Sequence, residues 1–400
     1  MTERRSSRPM QGREGPAVRP YIADLLANKR VVVCCGAGGV GKTTTAAALG
    51  VGAAMLGRKT LVLTIDPARR LAEAIGSPQA ARAPVPVNDT RLAEAGITGT
   101  LATWMVDPRV VFERMVRRLT ADPEQAEAIL QNRIYRALAQ LVAGMQEYTA
   151  AEALYGFVES GEYDVVVLDT PPSRNALDFL EAPRKLSLFL DERIIGVFLP
   201  GSGGGGIFRS RARQIAHGVF SRIFGEGFFD EVQQFLAAFS GMFTSMRSHA
   251  ESVRTLLKSE ASSFVVVTSP EPAALAEAAH LEKTLTGEMQ LPFSGFILNR
   301  SWAYTRGLAS PTEIVLPKDA APVDHSAVAK LDLLAQEELR LAERDRLLLA
   351  KLRAKTSAHA VATPQLDGDI DFAALLLIAE SLVRGAGEED ALEIPSSRRS

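Results

Sequence analysis

Apolar residues in this chain fall in short unbroken runs separated by long stretches of helical period. VVVCC (31–35), TLVLTI before Asp66, DVVVL before Asp169, SFVVVT before Ser269 and FSGFIL before Asn299 are each too short for a helix. They are rich in β-branched residues, as strands buried on both faces require. LATWMV before Asp107 is a weaker sixth run. The alternation with helical segments predicts an α/β fold: a mostly parallel sheet flanked by helices.

Two intervals exceed one crossover helix. About 107–161 reads as two or three amphipathic helices; about 183–260 is helical again, broken by GSGGGG at 201–206. Together they predict a helical subdomain inserted into the sheet domain, which spans 21–384 and opens with a helix at Tyr21–Asn28. Residues 1–20 are rich in Arg, Ser, Pro and Gly, and 385–400 are polar, so both ends are expected to be disordered.

Composition narrows the function classes. Net charge is −2, which gives no electrostatic reason to expect nucleic acid as a partner. No stretch approaches the twenty or so apolar residues of a transmembrane helix, and a cytoplasmic protein is expected. The only cysteines, Cys34 and Cys35, are adjacent. Neighbours in a strand point to opposite faces, so the pair suits two cores better than a metal or a disulfide.

The chemistry is concentrated after the first strand. Gly36-Ala37-Gly38-Gly39-Val40-Gly41-Lys42-Thr43 fits G-x-x-x-x-G-K-[ST] and opens an alanine-rich helix at Thr44, the strand–loop–helix setting of a phosphate-binding P-loop. Glycines let successive N–H groups turn toward a polyphosphate, and the helix adds the positive end of its dipole. Lys42 is placed to neutralise β/γ-phosphates and Thr43 to hold Mg²⁺. Asp169 ends a strand, where a carboxylate reaches the Mg²⁺ shell. Asp66 also ends a strand, and there two readings stand: a group acting on the attacking water, or the N-cap of the helix led by Pro67.

GAGGVGKTTTAAAL, LTIDPARRLAEAIG, QEYTAAEALY, VVVLDTPPSRNALDFL and FILNR, in this order, resemble the ArsA-type ATPases, which include arsenite-pump ATPases and the targeting factor for tail-anchored membrane proteins. The resemblance runs from about Val31 to Asn299. It implies an ATP- and Mg²⁺-dependent hydrolase. Asp66 matches the switch I aspartate that acts on water, Asp169 with Thr170-Pro171-Pro172 matches the Mg²⁺-linked carboxylate and switch II, and Asn299 matches the residue that reads adenine. It also implies paired P-loop units, hence a homodimer or a heterodimer with a paralogue. Two departures stand out. Ala37 occupies the place of a lysine that reaches the partner's phosphates, leaving Arg69, Arg70 or Arg174 as substitute cations. The arsenite-binding cysteines and the inter-subunit Cys-x-x-Cys have no counterpart.

One further pattern concerns a client. Phe228, Val232, Phe235, Phe239, Met242 and Met246 make an amphipathic helical stripe, widened by Phe229, Leu236 and Phe243. It either packs the subdomain interior or forms a groove for an apolar client helix beside the Gly201–Gly206 loop. The alternatives to an ArsA-type ATPase are a nucleotide-dependent binding module with little hydrolysis and a partitioning or positioning ATPase.

Overall fold

All six apolar runs become strands of one sheet. The computed structural model describes residues 20–64, 81–120, 122–132, 146–170, 248–304, 325–356, 359–366 and 368–384. The strands are β1 (Val31–Gly36), β2 (Lys59–Thr64), β3 (Val85–Pro86), β4 (Thr100–Met105), β5 (Val165–Asp169), β6 (Ser262–Thr268), β7 (Phe293–Ser301) and β8 (His359–Pro364). Their spatial order is β3-β4-β2-β5-β1-β6-β7-β8. β3 pairs antiparallel with β4, and every other neighbouring pair is parallel.

The register explains why the runs lack polar interruptions. β1 lies between β5 and β6 and is buried throughout. Val31, Val33 and Cys35 belong to the core on one face, while Val32 and Cys34 belong to the core on the other. A central strand with helices on both sides has no solvated face on which polar side chains would be favourable. The two cysteines therefore diverge into separate cores, as the strand period requires.

Helices cover both faces. α1 (Tyr21–Asn28) buries Ile22, Leu25 and Leu26, at i, i+3 and i+4, and packs on α2 (Lys42–Met55) and on the helix Phe372–Arg384. α2 is itself nearly all buried, which its run of Ala and Gly permits by keeping it thin. The described part of the first insertion is helical: Pro108–Leu119, Pro123–Gln131 and Gln146–Ser160. Asp107 and Asp122 cap the first two, each accepting from the backbone N–H two residues on at 2.9 Å, with proline opening each first turn. A helical subdomain is thus inserted between β4 and β5. Of the second insertion, 248–258 is described as helix; the Gly201–Gly206 loop and the phenylalanine stripe lie outside the described residues.

β3 and β8 have no antecedent in the hydrophobic pattern. β3 is two residues long, too short for a period. β8 reads HAVATP and follows the 32-residue helix His325–Thr356, so its few apolar residues look like a continuation of that helix. It is an edge strand, ending in a proline.

Burial pushes the Cys35 thiol up to about 12 from an ordinary 9.0, partly countered by Thr170 and Lys42, and burial with the nearby Asp169 also raises Cys34. The folded chain holds these protons more tightly than the unfolded chain. Their contribution to stability is therefore full below about pH 9 and is lost as pH rises toward about 12. At pH 8 both thiols should resist iodoacetamide in the native protein and react once guanidinium unfolds it. Labelling of either native thiol at the rate of a free peptide would overturn this placement.

Candidate functional site

At the carboxyl end of β1 the chain turns through Gly36–Gly41 into α2. The turn is tight enough to exclude side chains at two places. A Cβ on Gly36 would lie 2.2 Å from the Val267 carbonyl oxygen of β6. Gly41 has φ +88°, and a Cβ there would lie 2.1 Å from Asn299 Nδ2. Gly38 and Gly39 sit at the exposed rim, with Gly39 also in the left-handed region at φ +80°. Gly41 is the N-cap of α2 and has no side chain to satisfy the first-turn N–H groups. The helix thus presents its amides and positive end to the loop.

Lys42 is buried within this turn, and its Nζ donates to the Ala37 carbonyl at 2.8 Å. Ala37 itself is buried. Thr43 Oγ1 donates to Asp169 Oδ2 at 2.7 Å, and Thr64 Oγ1 donates to the same oxygen at 2.9 Å. The strand register brings this about, since Asp169 pairs across the sheet with Cys34 on one side and Thr64 on the other. Thr170 Oγ1 donates to the Cys34 carbonyl at 2.7 Å, fixing the start of the segment that leaves β5.

Asn299, near the end of β7, spans two structures. Its Nδ2 donates to the Val40 carbonyl at 2.8 Å, and Thr363 Oγ1 of β8 donates to its Oδ1 at 2.6 Å. Beside it opens a cavity of about 590 Å³. Thr44, Asn299, Trp302, Pro364, Gln365 and Leu366 are among its walls.

The residues present fit Mg²⁺ and a nucleoside polyphosphate. Gly36 and Gly41 let the turn pack closely on β6 and β7, while the exposed Gly38 and Gly39 leave backbone open to an anion, with Lys42 buried in the same turn. Thr43 gives its hydroxyl hydrogen to Asp169, so its oxygen lone pairs remain for a hard cation, for which hydroxyl and carboxylate oxygens are suitable donors. The adjoining cavity is large enough for a base and sugar.

Of the residues expected from sequence, the structure brings together Gly36, Gly38, Gly39, Val40, Gly41, Lys42, Thr43 and Asp169, with Thr44 and Asn299 at the cavity. Asp66, Pro171, Pro172, Arg69, Arg70 and Arg174 lie outside the described residues. Thr64, Thr363 and the Pro364–Leu366 wall went unnoticed in the sequence. Thr64 was legible in principle as a polar residue closing an apolar run one strand away from Asp169. Thr363 was not, because β8 itself was not.

Residues 29–304 match the family model of the anion-transporting ATPases. ATPase GET3 of Malassezia globosa is 30% identical over 169 residues, 42% of this chain and 47% of that protein. The ATPase ASNA1 homolog of Trypanosoma cruzi is 32% identical over 198 residues, 44% of this chain and 52% of that protein. The chain thus spans about half the length of these relatives. A longer, weaker similarity joins it to ATPase GET3 of Rhodotorula glutinis, 26% identical over 290 residues, 72% of this chain and 75% of that protein. The match to the family model covers more than half of the chain and contains the glycine turn, Asp169 and Asn299, so the protein belongs to the family of anion-transporting ATPases, the ArsA- and GET3-type P-loop ATPases.

Proposed function

We propose that this chain is an Mg²⁺-dependent ATP phosphohydrolase that works as a pair of P-loop units, homodimeric or joined to a paralogue. The observation that carries the reading is the glycine cradle with Lys42 turned into it and the Thr43–Asp169 bond beside it. Lys42 and the first amides of α2 bind the β/γ-phosphates. Thr43, oriented by Asp169, is the protein ligand of Mg²⁺, which when bound supplies charge for the phosphate oxygens. Asp66 orients the attacking water and accepts its proton. Asn299 and the adjoining cavity take the adenine.

Pairing rests on the single P-loop of the chain and on family membership. Ala37 lacks the cation that would reach a partner, so turnover by a homodimer is slow or calls for a cation from elsewhere. This favours a second reading as well, a nucleotide-dependent binding module with little hydrolysis. Single-turnover hydrolysis separates the two. The phenylalanine stripe at 228–246 supports an apolar client for the helical subdomain. Arsenite held by thiolates has no support, since the two cysteines point into opposite cores and no metal-holding group of His, Cys, Asp and Glu occurs among the described residues. No helix among the described residues is long and apolar enough to cross a membrane.

Steady-state hydrolysis and equilibrium ATP binding test the assignment. Lys42→Ala should weaken ATP binding by about 100-fold or more, the scale of a lost charge-assisted contact in a buried site. Asp66→Asn should bind ATP like the wild type and turn over at least about 100-fold more slowly. Normal turnover in Asp66→Asn would remove its assigned role. Asp169→Asn should raise the Mg²⁺ concentration needed for half-maximal binding by about 10- to 100-fold, because it orients the metal ligand. An unchanged Mg²⁺ requirement would place the metal elsewhere.

A further inference from the structure

The cavity beside Asn299 has a wall that the sequence did not announce. Arg344, on the helix His325–Thr356, lines it together with Arg300 and Trp302. Its side chain is about half exposed, yet it is tied to a carboxylate that is fully buried. Arg344 Nε donates to Asp345 Oδ1 at 2.9 Å, and Nη2 approaches the same oxygen at 2.8 Å. The other oxygen of Asp345 accepts from Ser301 Oγ at 3.1 Å and from the Trp302 N–H at 2.9 Å. Ser301 ends β7 and Trp302 follows it, two and three positions after Asn299.

A buried carboxylate is costly unless hydrogen bonds and a counter-charge compensate it. Here all of those partners either belong to the cavity wall or adjoin it. The arrangement holds a planar cation in the cavity lining, which also includes the apolar Pro364 and Leu366. A guanidinium held in one orientation stacks on aromatic faces, which an ammonium does less well.

We propose that Arg344 is a base-binding residue whose guanidinium covers the purine of the bound nucleotide, and that Asp345 is its positioning residue. This rests on the nucleotide reading above, and the test keeps the two apart. ADP and tripolyphosphate, each with Mg²⁺, are titrated calorimetrically into the wild type, Arg344→Ala and Arg344→Lys. Thermal melting checks that each variant is folded; the exposed side of the residue makes that the expected result.

Arg344→Ala should weaken ADP binding by about 5- to 30-fold, the range of a partly desolvated cation–π contact. It should leave tripolyphosphate binding unchanged, and Arg344→Lys should restore less than half of the loss on a logarithmic scale. Unchanged ADP affinity in Arg344→Ala would overturn the proposal. Equal losses for ADP and tripolyphosphate would also overturn it, by assigning the arginine to the phosphates, as would full restoration by lysine. A wild type that binds neither probe would sink the nucleotide reading and this proposal with it, a pattern distinct from the others.

Discussion

The turn from β1 into α2 is pressed between the ends of its neighbours, and the site depends on that contact. Gly36 runs against the backbone of β6, and Gly41 runs against the carboxamide of Asn299 on β7, each at a distance that leaves no room for a Cβ. Glycine is needed there for space as much as for backbone freedom. Because the loop touches both strands, its shape is set by the order β1-β6-β7 and by the register of their pairing. A slip of one residue in either pairing would move the wall against which the loop is folded. The long hydrophobic faces of the sheet therefore do more than stabilise it, since they hold the phosphate turn in one conformation.

The same contact places two buried ionisable groups near each other. Lys42 Nζ donates to a carbonyl, and the Asp169 carboxylate accepts from two hydroxyls. These bonds orient both side chains. A buried amine and a buried carboxylate on one turn suit a ligand that carries both signs. A metal–polyphosphate, the ligand of the proposed function, meets that description. Preorganised groups need not be reordered as negative charge shifts during phosphoryl transfer, and electrostatic catalysis depends on this.

Much of this was legible because it is written in local pattern. VVVCC reads as a parallel strand buried on both faces, and the cysteine alternation follows from the strand period. The glycine turn announces itself by spacing, and Asp169 by its place at a strand end. What escaped notice depends on pairing between distant segments. Thr64 matters through a register that puts it opposite Asp169. Thr363 matters because β8 lies beside β7, and the six residues of β8 have too little pattern to stand out after a helix of 32. Arg344 and Asp345 read as two more charges on a charged helix. Only the fold shows that Asp345 is buried against the end of β7 while its neighbour reaches a cavity.

Asn299 shows how such pairing changes a role inferred from sequence. A carboxamide has two N–H donors and one acceptor oxygen. The Val40 carbonyl can only accept, so Nδ2 must face the phosphate turn and Oδ1 must face Thr363. One N–H is therefore spent on the turn, and on the proposed function the other is the donor to a base. An aspartate in this place would set an oxygen against the Val40 carbonyl, replacing a hydrogen bond with repulsion and loosening the turn. The residue that the proposed function assigns to the base thus also clamps the glycine turn assigned to the phosphates. On that assignment the two ends of a nucleotide meet at one side chain, which ties the wall of the cavity to the glycine turn by a single hydrogen bond.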